Sequence, residues 1–190
     1  MIALRLPESV TVSGREYAIR SDFRTVIEIL VALADPELDQ QGKAEVVLKC
    51  FYPDYEEIRK EDAEAALKAA AVFIDGGEEL PESARRHRLM DWEQDFPRIA
   101  APVSRILGRD VRTVENLHWW TFLAAYYEIG DCLFAQIVRI RNLRAKGKKL
   151  DKADREWYRD NAALVNFRLK YTEAEDAALN TWLAQAGDKE

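Results

Sequence analysis

At 190 residues, the chain is long enough for one domain with a buried core or for two small packed lobes. Its 48% of apolar and 33% of charged residues are ordinary for a globular protein and exclude a disordered chain. The net charge of −6 argues against extensive binding to a phosphate backbone, although it leaves room for a local basic patch.

The first predicted element is a β-hairpin. Apolar residues alternate along VTVSGREYAI on both sides of Ser13-Gly14, which is the pattern of two strands joined by a two-residue turn. This turn would set Val12 opposite Arg15 and Val10 opposite Tyr17. The alternation continues upstream and is compatible with a third short strand over Ile2, Leu4 and Leu6.

Three helices are predicted in the rest of the first half. The apolar spacing becomes helical after Ser21, so Ser21 or Asp22 is the expected cap. A second helix is expected to start at Asp35-Pro36, because a capping residue followed by proline is a common helix start, and to end before Pro53. A third helix, rich in alanine, covers about 61–75 and is closed by Gly76-Gly77.

The second half is predicted to be helical throughout. Residues 78–90 are charged and lack an apolar stripe, which is typical of a linker. A helix is then expected to start near Pro97, to bend near Pro102 and to end at Gly108. An aromatic helix over 117–129 follows. Its neighbour, from 131 to about 146, is predicted to place three residues on one face, namely Leu133, Ile137 and Ile140.

Two further helices are predicted at the C-terminal end. Asp151 is the expected cap of a long helix that carries Trp157, Leu164 and Phe167. Thr172 and Glu175 have the spacing of a capping box, which starts a last helix. That helix is expected to fray at Gly187, and its apolar residues are Leu179, Trp182 and Leu183.

These elements predict a mainly α protein, a compact multi-helix domain with a short N-terminal β-hairpin. The domain would extend over residues 1–186, with 187–190 as a frayed tail. It is either one helical domain or two packed lobes, 1–77 and 91–186, joined by the charged linker 78–90.

Residues that could support catalysis or bind a metal are few. His87 and His118 are the only histidines, and neither has a second histidine or a cysteine at ligand spacing. No phosphate-binding loop or serine nucleophile motif occurs. The sequence therefore predicts neither an enzyme nor a bound cofactor, and His118 is expected to hydrogen-bond near the start of its helix.

The expected location is cytosolic. Cys50 and Cys132 are far apart among apolar residues, which favours buried thiols in a reducing compartment over a disulfide. The N-terminus lacks the pattern of a secretory signal, and no apolar run is long enough to cross a bilayer.

The predicted helix 117–129 carries an unusual concentration of aromatic residues. Its five aromatic side chains cover far more than the usual apolar sector of a helix, and they are Trp119, Trp120, Phe122, Tyr126 and Tyr127. Such a helix is either packed between neighbours in the core or partly exposed as a docking surface, because tryptophan and tyrosine serve both purposes. We favour the core and keep the docking surface as the alternative.

A basic run follows on the next helix. It has no acidic residue within it and comprises Arg139, Arg141, Arg144, Lys146, Lys148 and Lys149. The run could bind nucleic acid or an acidic partner. We favour the simpler interpretation that it offsets the negative end of a helix dipole, because Gly147 marks a helix end.

Two motifs resemble those of a known family. GREYAIRSDFR matches a Gly-x-x-Tyr-x-Ile strand followed by an Asp-Phe-Arg helix start, and NLHWWTF matches a Leu-His-Trp-Trp-x-Phe motif. Together with the acidic-aromatic segment from Asp91 and the basic run, they resemble a small bacteriophage and prophage tail-morphogenesis family, encoded next to the tail tape-measure protein. Pro97 and Pro102 depart from this pattern, in which an unbroken helix is expected.

The resemblance implies a tail assembly chaperone in the host bacterial cytoplasm. Its partners would be the tape-measure protein and other tail assembly proteins, and self-association is compatible with this role, whereas a membrane or nucleic acid is not expected. The implied partner-binding residues are the five aromatic side chains with Arg139, Arg141 and Arg144 as a polar fringe. The alternative is a structural component of the finished tail, near its connector or tip.

Overall fold

The computed structural model describes residues 5–78 and 87–168. Within these ranges, a two-stranded sheet precedes a series of helices, which confirms the predicted fold class. The strands are β1 (Ser9–Val12) and β2 (Arg15–Ala18). The helices are α1 (Phe23–Leu33), α2 (Gln40–Phe51), α3 (Ala63–Ile74), α4 (Trp92–Leu107), α5 (Trp119–Tyr127), α6 (Leu133–Ala145), α7 (Lys152–Asp160) and α8 (Ala162–Val165).

The hairpin has the predicted register. Val12 pairs with Arg15 and Val10 with Tyr17 in antiparallel strands. Ser13 and Gly14 have φ values of 48° and 81°, as a two-residue turn of this hand requires. Of the suggested third strand, Leu6 lies outside any strand, and the other two residues are outside the described part.

Short side chains define the starts of the first helices. Asp22 caps α1 by accepting a hydrogen bond from the Arg24 backbone N–H, as predicted. The predicted start of α2 at Asp35-Pro36 is wrong, because Asp39 caps this helix and accepts from the Gly42 N–H at 2.7 Å. The Asp35 carboxylate instead accepts from the Glu37 N–H and stabilises a turn before the helix.

The start of α4 also differs from the prediction. The helix begins at Trp92, not near Pro97, because Asp91 caps it by accepting from the Gln94 N–H at 2.8 Å. Pro97 and Pro102 both lie inside the continuous helix, where each leaves one backbone carbonyl without its helical donor. Gly108, with φ of 70°, ends the helix as predicted.

The long helix predicted after Asp151 is interrupted. Asp151 caps α7, but the chain leaves the helical conformation at Asn161, whose side-chain amide donates to the Trp157 carbonyl. The short helix α8 follows, and Phe167 lies beyond it. In α6, Leu133 is 48% exposed, so it does not share the buried face of Ile137 and Ile140 as predicted.

One continuous core joins the elements on both sides of residues 79–86. It contains side chains from the hairpin through α1 to α5 and reaches Phe134 of α6. A smaller cluster around Ile137, Ile140 and Val165 packs α6 against α8. The predicted capping box at Thr172 and Glu175, the last helix and most of the predicted linker lie outside the described residues. No helix of the described part combines the length and hydropathy that a membrane span requires.

Candidate protein-binding groove

The two sequence motifs meet in space. The Phe23 N–H donates to the Leu117 carbonyl at 2.9 Å, and the Trp119 N–H donates to the Ser21 carbonyl at 2.7 Å. The Asp22 carboxylate, besides capping α1, accepts from the Leu117 N–H at 3.0 Å. The start of α1 and the start of α5 therefore hold each other in place.

Stacked aromatic rings extend this junction into the core. The Phe122 ring lies 4.9 Å from the Phe23 ring and 5.5 Å from the Trp119 ring, and both pairs are nearly parallel. All three side chains are at most 1% exposed. For Trp119 and Phe122, the structure thus agrees with the favoured interpretation that the aromatic helix belongs to the core.

His118 fixes a third segment at the same place. Its Nδ1 atom accepts from the Trp120 N–H at 3.0 Å and so caps α5, which confirms its expected role. Because Nδ1 is the acceptor, Nε2 carries the proton and donates to the Pro7 carbonyl at 2.9 Å. The imidazole therefore ties Pro7, two positions before β1, to the start of the aromatic helix.

Replacing His118 should separate these two roles. Asparagine offers a side-chain oxygen that can cap α5, whereas alanine offers none. We expect His118→Ala to lower the free energy of unfolding by about 0.5–2 kcal/mol more than His118→Asn, as measured by urea denaturation. Equal losses in the two variants would show that the bond to Pro7, and not the cap, is what stabilises the fold.

Trp119 and Trp120 cap the carboxyl end of α3. The Trp119 Nε1–H donates to the Ile74 carbonyl at 2.8 Å, and the Trp120 Nε1–H donates to the Phe73 carbonyl at 2.9 Å. The last carbonyls of a helix have no partner within the helix, so the Trp119 indole satisfies a carbonyl that burial would otherwise leave unpaired. The Trp120 indole adds a second donor to the Phe73 carbonyl, which also accepts from the Gly76 N–H at 3.1 Å. This explains two adjacent tryptophans in the motif.

Trp120 also lines an apolar groove, which we call the Trp120 groove. Its volume is about 410 Å³, within the range of about 300–1,000 Å³ that ligand pockets have. The groove lies between β1 and α3, and its lining residues are Pro7, Val10, Thr11, Ala65, Lys68, Ala69, Val72, Phe73, Gly77 and Trp120. It is therefore a concave apolar surface that carries one of the predicted partner-binding residues.

Gly77 shapes the end of this groove. Its φ of +90° is a conformation that only glycine adopts easily, and a Cβ there would lie 3.0 Å from Cη2 of Trp120. The Trp120 ring also stacks on the Phe73 ring, with the two ring centroids 5.7 Å apart. The indole is thus held in one orientation by two contacts and one hydrogen bond.

The remaining aromatic residues of α5 lie apart from the groove lining. Tyr126 is half-buried against Trp92 and Phe134, and burial raises the pKa of its hydroxyl to about 12. Tyr127 is 70% exposed and contacts Tyr126. The structure thus divides the five predicted residues between core, groove and open surface.

The three predicted arginines are not one fringe. Arg139 pairs with Asp154, and the Arg144 guanidinium stacks on the Tyr158 ring at 4.4 Å. Arg141 is only 5% exposed, which removes it from the surface that the prediction assigned to it. Gly147, with φ of 65°, ends the turn after α6, as the dipole interpretation of the basic run requires.

Sequence reasoning missed the part of α3 that forms the groove wall. Ala65, Ala69 and Val72 are spaced four and three residues apart and share one side of the helix. A second apolar groove of about 400 Å³ lies on another side of α3, where Leu67, Ala71 and Ile74 contribute to its lining. The alanine-rich composition of this helix was the available signal, because small side chains leave space beside a helix.

Other parts of the described structure offer weaker candidates for a binding site. A larger depression of about 910 Å³ near Asp22 is lined mainly by polar and charged side chains. No cluster of potential metal ligands occurs among residues 5–78 and 87–168, and both cysteines, Cys50 and Cys132, are free and half-buried. Asp110 is partly exposed, and the Arg112 side chain and backbone N–H that it accepts from lower its pKa to about 2.

The fold and the groove define the class of the molecule: it is a mainly α protein with an N-terminal hairpin and an open apolar groove beside its third helix. The chain belongs to the Bacteriophage Gp15 protein family, whose model matches residues 2–166. It is therefore a member of a bacteriophage protein family. No curated protein and no solved structure matches the chain.

Proposed function

We propose that this chain is a phage tail assembly protein, a chaperone that binds the tape-measure protein during tail morphogenesis in the host cytoplasm. Membership in a bacteriophage family supports the viral role, and the motif resemblance supports the tail gene cluster. In this proposal the protein acts by binding, not by catalysis.

The Trp120 groove carries the proposal. A tape-measure protein is a long helical chain with an apolar seam, which would aggregate if the seam stayed exposed before the tube forms around it. A compact protein with an open apolar groove can cover a part of such a seam. Because the groove is small, the interaction would be reversible, and the growing tube could displace the chaperone.

Affinity purification from cells that assemble tails tests this function. We expect the tagged chain to capture the tape-measure protein, and mass spectrometry of purified virions to find none of the chain. Stoichiometric amounts in the virion would instead support the alternative, a structural component near the tail connector or tip. Strongly salt-dependent retention of nucleic acid would favour the basic run as the functional surface.

Trp120→Ala provides a first test of the role of α5. If capture falls while the melting temperature stays close to that of the wild type, the half-buried indole contributes directly to binding. If capture is unchanged and only the melting temperature falls, α5 is structural and the partner binds elsewhere. Circular dichroism on the same preparations distinguishes these results.

A further inference from the structure

We infer that the Trp120 groove is the docking site for the tape-measure segment, and that its occupant is an amphipathic helix with a carboxylate beside its apolar stripe. This inference rests on the proposed function, which already uses the groove, and adds the conformation and the charge of the segment that the groove binds. It follows from the shape of the groove walls, the fixed orientation of Trp120 and the charge of Lys68.

The groove walls fit a helix. Ala65, Ala69 and Val72 form a smooth side of α3, along which a second helix can approach closely because the side chains are small. β1 packs against α3, and Val10 and Thr11 of this strand contribute to the opposite wall of the groove. The apolar stripe of a partner helix therefore finds a matching wall on this side of α3.

The orientation of the Trp120 side chain is already fixed in the free protein. The indole is fixed by its hydrogen bond to the Phe73 carbonyl, by the Phe73 ring and by the bare face of Gly77. Binding then costs little side-chain entropy on this wall, since the ring has no freedom left to lose. Rigid tryptophans of this kind are the commonest strong contributors to binding between proteins.

The positive charge of Lys68 favours a partner segment that carries an acidic residue. It is the one charged side chain among the residues that line the groove, and it is exposed. In the part of the chain that the structure describes, no ion pair or hydrogen bond involves its ammonium group. An acidic residue next to the apolar stripe of the partner helix would meet this ammonium group and fix the register of the helix.

Paired variants test the inference by co-purification. The tagged full-length chain is co-expressed with the full-length tape-measure protein of the same phage, and the captured protein is quantified. Ala69→Trp fills the Trp120 groove, whereas Ala71→Trp fills the second groove on another side of α3. Lys68→Glu reverses the charge in the groove, and Lys60→Glu makes the same change at an exposed position outside it.

Ala69→Trp and Lys68→Glu should each lower capture by about tenfold or more, and the two controls by less than about twofold. Lys68→Glu changes only an exposed charge, so its result does not depend on tolerance of a large side chain. Normal capture by both groove variants, or a loss confined to Ala71→Trp, would overturn the inference and leave the proposed function standing. Absence of capture by the wild-type chain would overturn both.

Discussion

Replacing Trp119 with alanine should lower the free energy of unfolding by about 3–5 kcal/mol. The side chain is 1% exposed and lies against Phe122 and Trp92, so its removal leaves a cavity in the centre of the core. The variant also loses the Nε1–H donor of the Ile74 carbonyl at the end of α3. Urea denaturation followed by circular dichroism measures the loss.

Trp119→Phe separates the two contributions. Phenylalanine keeps much of the ring packing but cannot donate to the Ile74 carbonyl, so we expect a loss of about 1–3 kcal/mol from the unpaired carbonyl and the reduced ring. Trp120→Phe removes the equivalent bond to Phe73 at a half-buried position and should cost less. A Trp119→Ala variant as stable as Trp120→Ala would contradict the assignment of Trp119 to the core.

Replacing Arg141 with methionine should destabilise the protein by about 3–5 kcal/mol, the usual result of breaking a buried ion pair on one side only. The guanidinium makes two hydrogen bonds to the Asp95 carboxylate, at 2.5 and 3.1 Å, where both side chains are almost fully buried. It also donates to three backbone carbonyls, those of Leu89, Leu164 and Val165. The variant would leave these carbonyls without the guanidinium, and the Asp95 carboxylate would keep only the Asp91 N–H, which donates to it at 2.9 Å.

A double-mutant cycle measures the interaction free energy between Arg141 and Asp95. Asp95→Asn removes the charge of the acid but keeps its shape, and it can be combined with Arg141→Met. We expect the double variant to lose at least about 1 kcal/mol less than the two single losses added together. Additive losses would show that the carbonyl bonds of Arg141, and not its pairing with Asp95, stabilise this part of the molecule.

Local signals predicted the helix caps and the hairpin well. Asp22, Asp151 and His118 act on backbone N–H groups within three residues, so their roles are visible in the adjacent sequence. The turn at Ser13-Gly14 depends likewise on two residues. The same reasoning went wrong at Asp35-Pro36 because two aspartates compete there, and the sequence does not say that Asp39 is the cap.

Features that depend on distant residues were not predictable. Pro97 lies inside α4 because the cap at Asp91 starts the helix earlier than the proline alone suggests. The burial of Arg141 depends on Asp95, which lies 46 positions away in the chain. Periodicity placed this arginine in a basic surface run because nothing near it in the sequence indicates its partner.

The candidate site was predicted in part for the same reason. The motif containing Trp119 and Trp120 stood out by composition, but its division between core and groove depends on α3, which the motif does not include. Nothing in the sequence around Lys68 and Ala69 indicates a functional role. They become part of a site only when the hairpin, α3 and α5 are assembled.

The bonds that residues 117–120 make have a consequence for synthesis on the ribosome. Pro7, Asp22 and Ile74 all find their partners in this short segment, across 45 to 111 positions of the chain. A nascent chain that ends before residue 117 already contains the hairpin and the first three helices, whose direct contacts can form, yet it lacks the segment that binds Pro7, Asp22 and Ile74. Chains elongate at about 5–20 residues per second, so the parts of α1 and α3 that α5 covers stay exposed for seconds. During that interval, the growing polypeptide is open to proteolysis and to aggregation with other nascent chains on the same mRNA.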